Sequence, residues 1–439
     1  MVGIPAGFDY GTSHCAIGLL TSDGVQLAPL EGTAPLVPST LYSPTIGLQL
    51  PVKDGRLRLE APAFTDLRFG AAALEAYLRD PTQGYFVKSP KSFLGVAGLN
   101  RDIRERFVTV VAAMMANVKR HADRTALSLG GESVTQAVIG RPVNFQGLGG
   151  REANDQALSM LREAALRAGF RDVAFQYEPM AAALEYEQRL RREEDILVVD
   201  IGGGTTDVSF VRVGGALRDS IERDPDVLGH AGERLGGNDY DQVLALQAVM
   251  PEFGFGDHLT TGLPVPNTYF VDAVSINDVN AQQRFYSAAT LERLQLFAKE
   301  AVPAQRCARL LALREQRATY RLLREVEMGK IELSAREGAT VDCSALEQGL
   351  FVPVTGSQLA QACARLLEHL RLLIDEVATQ AGRQPQRVYL TGGMSKATVV
   401  RNFLAATYAG VEFIDSDHFV SVTEGLTLWA NRLYGGAIS

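Results

Sequence analysis

The sequence predicts an α/β protein with two lobes, and three observations support this prediction. Strand-like and helix-like patterns alternate through most of the chain, which is typical of an α/β architecture. The 439 residues exceed the length of about 250–300 residues at which a single hydrophobic core stops growing. Two loops of nearly the same composition, Asp9–Ser13 and Asp200–Asp207, lie far apart in the chain, so we expect one in each lobe.

Composition and charge exclude several classes of protein. Hydrophobic residues make up 46% of the chain and charged residues 21%, which is enough apolar material for two cores. The formal net charge of −8 argues against nucleic acid as a partner. No run of about 18 or more apolar residues and no signal-peptide pattern occur, so we expect no membrane span and a cytoplasmic location. The four cysteines are widely spaced, which argues against a disulfide framework or a thiolate metal site.

The order of strands and helices can be predicted for much of the chain. The first strand begins at Ile4, and a charged break at 191–195 is the best candidate for a domain boundary. The interval from about 250 to 320 is the least regular and ends in a helical pattern. The remaining predicted elements are helices over 104–120 and 152–168, a helix starting at Pro179, and strands over 134–139, 173–177 and 388–390.

The paired loops have the residue types that a polyphosphate site requires. Each has a carboxylate at the end of an apolar strand, then glycine and a hydroxyl, then a second strand. Glycines let backbone N–H groups approach an oxyanion, threonine adds a donor, and aspartate can hold a cation through its waters. One such loop alone is usually an ordinary turn. Two of them facing each other predict a site that holds a polyphosphate and its magnesium from both sides.

Two further glycine pairs precede predicted helices. Thr391-Gly392-Gly393 lies between a strand and a helix expected from about Ser395. Gly236-Gly237 precedes a helix expected from about Asp239. Helix N-termini bind anions through free N–H groups, but such turns are as often plain packing or capping, and the residues leave both readings open.

Several charged side chains are further candidates, each with a structural alternative. A lysine at 88 or 91 could supply positive charge to a γ-phosphate, although most lysines are simply exposed. Glu178 lies where a strand meets a helix. It could contact a ligand at the carboxyl edge of the sheet, or it could be a first-turn glutamate that interacts favourably with the helix dipole. On a helix predicted over 321–334, Glu327, Lys330 and Ser334 share a face, and spacing alone favours a surface ion pair over nucleoside binding. The six histidines are scattered and receive no role.

Taken in order, these segments resemble the actin-like ATPase superfamily and, within it, the nucleotide-binding domain of the seventy-kilodalton, DnaK-type heat-shock chaperones. Phe8–Thr12 resembles phosphate loop one, and Asp200–Ser209 is similar to phosphate loop two almost letter for letter. Lys91–Gly95 resembles the catalytic-lysine segment, and Tyr177–Leu184 the connecting segment. The adenosine-side motifs are similar to Leu235–Asp239, Glu327–Ser334 and Leu390–Gly393.

The resemblance covers nearly the whole chain and is closest to short bacterial YegD-type proteins that lack the peptide-binding domain. The similarity to YegD-type proteins rests on Val87–Gly95 and Gly140–Gly150. It implies an actin-like ATPase fold of two lobes, each with a mixed sheet flanked by helices, and a nucleotide cleft between them. Lobe I would be 1–192 plus 416–439, with an insertion at about 41–134. Lobe II would be 193–415, with an insertion at about 233–344.

The resemblance also implies the site residues. Lys91, Glu178, Asp200, Asp207 and Thr205 would be catalytic, and Asp9, Asp200 and Asp207 would hold Mg²⁺ through water. ATP or ADP would be bound by Asp9, Gly11, Thr12, Ser13, Gly202, Gly203, Gly204, Thr205, Thr206, Gly236, Gly237, Glu327, Lys330, Ser334, Gly392, Gly393 and Lys396. Three positions depart from the family pattern: Ile331 and Lys396 stand where adenine-stacking arginines occur, and Asn238 replaces an acid.

The expected function is a slow, magnesium-dependent ATPase that acts as a nucleotide-dependent conformational switch of chaperone type. Its partners would be ATP and possible client or regulatory proteins. Two alternatives remain, a small-molecule kinase of the same superfamily and an ATP-dependent scaffold or filament protein.

Overall fold

The computed structural model describes residues 4–45, 48, 50–81, 83–96, 98–145, 150–415 and 420–435. Its first main sheet has the strand order β11-β10-β1-β2-β3, with β4 beside β2. The six strands are β1 (Ile4–Tyr10), β2 (His14–Thr21), β3 (Gly24–Leu27), β4 (Val37–Pro38), β10 (Val134–Arg141) and β11 (Asp172–Tyr177). The central strand β1 runs antiparallel to β2 and parallel to β10. The first loop of the predicted pair is therefore the turn between β1 and β2.

The second main sheet repeats this arrangement. Its strand order is β14-β13-β12-β19-β20. The strands are β12 (Glu194–Ile201), β13 (Thr206–Val213), β14 (Val227–Glu233), β19 (Arg387–Thr391) and β20 (Glu412–Asp415). The central strand β12 runs antiparallel to β13 and parallel to β19. The second loop therefore occupies the turn between β12 and β13, the position equivalent to that of the first loop.

Each main sheet has its own hydrophobic core, and a third buried cluster lies between them. The first sheet packs on α3 (Arg101–Ser128) and α4 (Gly150–Arg167), and the second on α13 (Ala364–Ala381) and α14 (Thr398–Thr407). The third cluster combines residues of both sheets with α5 (Glu178–Glu187) and α15 (Ser421–Tyr434). These two helices thus connect the halves of the molecule.

The close approach of α5 and α15 depends on small residues. All ten residues of α5 are buried, and Pro179 is tolerated in its first turn, where an N–H would have no partner in the helix. A Cβ on Gly425 of α15 would lie 1.7 Å from the carbonyl oxygen of Ala181, so only glycine fits at this contact.

A small sheet and short helices are inserted in the first half of the chain. The sheet consists of β5 (Thr40–Ser43), β8 (Arg68–Phe69) and β9 (Tyr85–Lys88). The accompanying elements are the β6 (Val52–Lys53) and β7 (Arg56–Leu57) hairpin, α1 (Pro62–Thr65) and α2 (Gly70–Arg79).

The second half carries a larger, mostly helical insertion. Its helices are α6 (Gly237–Leu244), α7 (Thr268–Val274), α8 (Val279–Phe285), α9 (Ala288–Glu300), α10 (Ala304–Glu315) and α11 (Thr319–Glu332). Two strand pairs join them, β15 (His258–Leu259) with β16 (Ala301–Val302), and β17 (Gly338–Asp342) with β18 (Phe351–Thr355), followed by α12 (Gly356–Ala362). The interval that was least regular in sequence is therefore largely helical.

Most predicted strands and helices are present with shifted ends, and three predictions need correction. The helix predicted from about Ser395 is a 3₁₀ turn over Gly393–Lys396, and α14 begins only at Thr398. The helix predicted over 321–334 ends at Glu332, so Ser334 lies in the turn that follows. The helix placed near Asp239 begins at Gly237, because the Asp239 side chain accepts a hydrogen bond from the Gly236 amide and caps it.

Two parts of the predictions lie outside the described residues, namely 146–149 of the stretch 140–150 and the lobe boundary at 416. Within the described ranges, no helix combines the length and apolar character needed to cross a bilayer. All four cysteines are buried and free.

Candidate functional site

A cleft lies where the turn loops of the two main sheets face each other. It is a cavity of about 1100 Å³ including its open mouth. Both sheets, α5 and α11 contribute to its walls. The predicted residues that line it are Asp9, Gly11, Thr12, Ser13, Glu178, Asp200, Gly202, Gly203, Thr205, Gly237, Glu327, Lys330, Gly392 and Gly393.

The two loops of the predicted pair are in direct contact. A Cβ on Gly203 would lie 1.7 Å from Oγ of Ser13, and a Cβ on Gly204 would lie 2.7 Å from Cγ2 of Thr12. Any side chain at Gly203 would overlap the first loop. Glycine is therefore needed here for close approach of two loops and not for a turn conformation.

Inside the second loop, the two threonines have different roles. Thr205 lines the cleft, and its side chain hydrogen-bonds Asp207. Thr206 is 2% exposed and donates its hydroxyl to the carbonyl of Leu235 over 2.6 Å. Thr206 thus anchors the second loop to the segment before α6, and its hydroxyl is already committed.

A buried ion pair borders the cleft: Glu178 lines it, whereas Lys91 is not among the described residues that do. Nζ of Lys91 donates to Oε1 of Glu178 over 2.5 Å, and the two residues are 5% and 8% exposed. Lys91 lies on a 3₁₀ turn after Ser89, whose φ of 55° turns the chain sharply. Glu178 is the first residue of α5, and a Cβ on Gly140 would lie only 3.1 Å from its Cγ. Two separate elements therefore fix this pair.

Three buried aspartates lie close enough to this pair to interact with it electrostatically. Burial and the nearby Glu178 raise the pKa of Asp9 to about 7 and the pKa of Asp207 to about 8. Burial, Glu178 and the other two aspartates raise the pKa of Asp200 well above its usual value. Burial acts to lower the pKa of Lys91, but Glu178, Asp9 and Asp207 outweigh it and the pKa is raised.

The excess of negative charge fits a divalent cation. Four carboxyl groups surround one lysine, and Oδ2 of Asp207 is buried with no hydrogen-bond partner. In the described part of the chain, no three His, Cys, Asp or Glu side chains converge closely enough to ligate a metal directly. The residues present therefore fit an ion such as Mg²⁺ that keeps its own waters.

The segment before α6 is tied to the second loop. The amide of Gly237 donates to the carbonyl of Gly202 over 2.9 Å, and the amide of Asn238 donates to that of Gly203 over 2.8 Å. A Cβ on Gly236 would lie 2.6 Å from the amide nitrogen of Gly204. These N–H groups hold the loop, so they are not free to bind an anion as a helix N-terminus would.

The third glycine segment packs against the end of β12. Gly392 has a φ of +78°, and a Cβ there would lie 2.6 Å from Oδ1 of Asp200. Both the left-handed backbone and the close contact require glycine. Lys396 ends the following 3₁₀ turn and is not among the described residues that line the cleft.

The predicted face of α11 is only partly a cleft wall. Nζ of Lys330 donates to the carbonyl of Gly237 over 3.0 Å and lies 2.8 Å from Oδ1 of Asp241. Glu327 accepts from Arg324 over 3.0 Å and lies 4.0 Å from Nζ of Lys88. Ser334, in the turn beyond the helix, is not among the described residues that line the cleft.

Five cleft residues were missed by the sequence reasoning. These are His14, Leu36, Asp241, Met394 and Val422. His14 follows Ser13 directly, so its position next to the first loop was an available signal. Burial lowers the pKa of His14, although Glu327 opposes this effect. The other four carry no local signal, because only tertiary packing brings them to the cleft.

The comparisons with known proteins find similarity to Hsp70-type chaperones. The family described as Hsp70 protein matches residues 100–256. The chain is 32% identical to the chaperone protein dnaK of Phaeodactylum tricornutum (strain CCAP 1055/1) over 199 residues, which is 45% of this chain and 27% of that protein. It is 28% identical to the chaperone protein DnaK of Trichormus variabilis (strain ATCC 29413 / PCC 7937) over 311 residues, 69% of this chain and 35% of that protein.

A third relative is the heat shock 70 kDa protein BIP3 of Oryza sativa subsp. japonica, 27% identical over 248 residues, 54% of this chain and 34% of that protein. The chain thus spans only about a third of the length of these relatives. The family match over residues 100–256 includes the second loop, Asp200–Asp207. Residues 100–256 thus match the Hsp70 family, and parts of the chain are similar to DnaK-type chaperone proteins.

Proposed function

We propose that this cleft binds ATP with Mg²⁺, hydrolyses it slowly, and that the chain acts as a nucleotide-dependent switch of chaperone type. The observation that carries the proposal is the direct contact of the two glycine loops beside the buried Lys91–Glu178 pair. Such an arrangement offers backbone donors from both halves of the molecule to one polyphosphate. The names of the relatives support the chaperone part of the proposal.

Each cleft residue would then have a defined task. Thr12 and Thr205 would donate to phosphate oxygens, and Asp9, Asp200 and Asp207 would hold the waters of the cation. A bound magnesium ion would supply positive charge to the phosphate oxygens. Because a cation favours the charged form of a nearby carboxyl, these aspartates would give up their protons when it binds.

Lys91 and Glu178 would serve the hydrolytic step. The ammonium of Lys91 would stabilise the negative charge that develops on the γ-phosphate, since it is fixed before the reaction starts. Glu178 would keep that ammonium oriented and charged in a buried position.

Nucleotide state would be transmitted through the contact of the two halves. ATP would be held by loops from both sheets, whereas ADP would lack the γ-phosphate that bridges them. Because α5 and α15 pack between the sheets, a change in loop spacing would be passed on to this shared core.

Calorimetric titration with ATP and ADP, with and without magnesium, tests the proposal directly. We expect magnesium-dependent binding of both nucleotides and a protease-sensitivity pattern that differs between them. Thr205→Ala and Asp9→Asn should each lower hydrolysis by roughly two to three orders of magnitude, as for loss of one preorganised electrostatic contact. Unchanged turnover in both variants would contradict the assignment of the paired loops.

One observation favours a second candidate, a small-molecule kinase. A separate polar cavity adjoins the second loop at Gly204 and is also lined by Lys88, Ser92, Arg234 and Asn238. A phosphoryl acceptor bound there would be close to the phosphate loop. Such an enzyme would show ATP consumption that depends on an added acceptor and yields a phosphorylated product, which the switch proposal does not predict.

A further inference from the structure

The cleft changes in chemical character along its length. Its phosphate-loop part is polar, with Asp9, Glu178 and Asp200 among its walls. The walls also include the apolar residues Ile331 and Met394. A Cβ on Gly237 would lie 3.4 Å from Cγ of Met394 and 3.6 Å from the carbonyl oxygen of Gly202, so the two parts meet at this residue. A ligand that places phosphates on the loops would extend its other end over the apolar part.

The charged groups of the apolar part are already engaged. Nζ of Lys330 binds the carbonyl of Gly237 and the carboxylate of Asp241. Glu327 accepts from Arg324 and faces Lys88. To read the edge of a base, either side chain would have to give up a partner in a buried position, which is unfavourable.

Among the described cleft residues, Asn238 and His14 are two further polar residues, and both lie near the loops. Asn238 is held beside the second loop, because its amide donates to the carbonyl of Gly203. His14 follows the first loop directly, and Glu327, Arg324 and Lys88 face it. Both positions suit contact with the phosphates or the sugar.

We infer that the cleft takes purine nucleoside polyphosphates with little discrimination between adenine and guanine, and that Ile331 and Met394 pack against the base. This inference rests on the proposed function. Apolar contact depends on the area of the ring and not on its donors and acceptors. A site without hydrogen-bond readout discriminates by about 10² at most, whereas readout of a polar group reaches about 10⁴–10⁵.

Competition binding with Mg-ATP, Mg-GTP and magnesium tripolyphosphate tests the inference. We expect the affinities for ATP and GTP to agree within about tenfold, and tripolyphosphate to bind at least about tenfold more weakly because it lacks the apolar contact. ATP binding about 10³-fold tighter than GTP would overturn the inference, and so would tripolyphosphate that binds as tightly as ATP. Failure of all three probes to bind would instead refute the proposed function.

Two matched variants on α11 locate the base contact. Ile331→Arg should tighten ATP and GTP binding alike by about 3- to 10-fold, through stacking of the guanidinium on the base. Met328→Arg adds the same charge on the same helix, and Met328 is 44% exposed and is not among the described cleft residues. It should leave both affinities within about twofold. Equal effects of the two variants on binding would overturn the placement of the base beside Ile331.

Discussion

The aspartates of the cleft illustrate how burial alters side chains that are ordinary in sequence. Asp9, Asp200 and Asp207 lie around a single lysine, so in the absence of a cation they repel one another and Glu178. Their charged forms are destabilised in the folded protein, which raises their pKa values. The same excess of negative charge is what makes the site suitable for a divalent cation.

This charge excess predicts the pH dependence of stability without magnesium. The pKa of Asp9 rises from 3.8 to about 7 and that of Asp207 from 3.8 to about 8 on folding. At pH values between the unfolded-state pKa and the folded-state pKa of each carboxyl, the folded protein binds more protons than the unfolded chain. The free energy of unfolding therefore falls as the pH rises. Each carboxyl contributes a slope of up to about 1.4 kcal/mol per pH unit.

Thermal unfolding from about pH 5 to pH 8.5, with a chelator present, measures this slope. Asp207→Asn should reduce the slope, because asparagine does not titrate, and the comparison separates Asp207 from other titrating groups. A melting temperature that rises across this range in the wild type, or that falls equally steeply in the variant, would contradict the charge assignment.

A second prediction at this scale concerns the contact of the loops. Gly203→Ala should lower the melting temperature of the nucleotide-free protein by several degrees, since its Cβ would lie 1.7 Å from Oγ of Ser13. Gly202→Ala is the matched control, because its Cβ would meet its nearest atom at an ordinary 3.7 Å. If differential scanning calorimetry gives the same melting temperature for both variants, the loops are not in contact.

At the scale of elements, Lys330 joins two helices of the second insertion. It lies on α11, is 7% exposed, and its ammonium binds the carbonyl of Gly237 and the carboxylate of Asp241 on α6. The family resemblance implied that Lys330 is a nucleotide ligand, although its spacing alone favoured a surface ion pair. The structure adds a structural role, because the same ammonium holds α6 in place.

This pair gives a prediction for stability. Lys330→Met should lower the free energy of unfolding by about 3–5 kcal/mol, because it leaves Asp241 buried and without its cation. The double variant Lys330→Met with Asp241→Leu should recover most of that loss, since both charges are then removed. Urea denaturation of the two variants measures this, and equal losses would mean that the ion pair does not link the helices.

At the scale of the whole molecule, the two insertions are in direct contact through aromatic rings. Tyr77 on α2 stacks on Phe86 of β9 at 4.4 Å, and Tyr320 on α11 meets both rings edge-on at 5.4 and 5.3 Å. Arg321 also donates to the carbonyl of Leu78 over 2.8 Å. These contacts hold the two halves together at a second place, away from α5 and α15.

Removing the ring that joins the two insertions should speed nucleotide release, because the two halves of the molecule then separate more easily. We expect Tyr320→Ala to raise the dissociation rate of a fluorescent ADP analogue by roughly 3- to 10-fold, in line with the loss of one or two aromatic pairs. Tyr269→Ala removes a comparable ring, which pairs with Phe297 inside the second insertion, and should leave the rate unchanged. Stopped-flow dissociation measures both rates, and equal rates in the two variants would show that the contact between the insertions does not limit release.

The sequence alone determined the local parts of this protein. The paired loops, the strands that carry them and the helix that begins at Glu178 follow from short patterns of glycine, carboxylate and apolar residues. Such patterns act over a few residues, where backbone conformation and hydrogen bonding are decided. The family resemblance rests on the same segments, and the Hsp70-type match agrees with it.

Only the tertiary structure decided how those parts are used. It shows that Thr206 anchors the second loop to Leu235 and that Lys330 holds α6, although sequence placed both in the site. It also brings Met394 into the cleft and leaves Ser334 beyond the end of α11. The physical reason is that the direction of a side chain and the identity of its partner depend on packing between segments far apart in the chain.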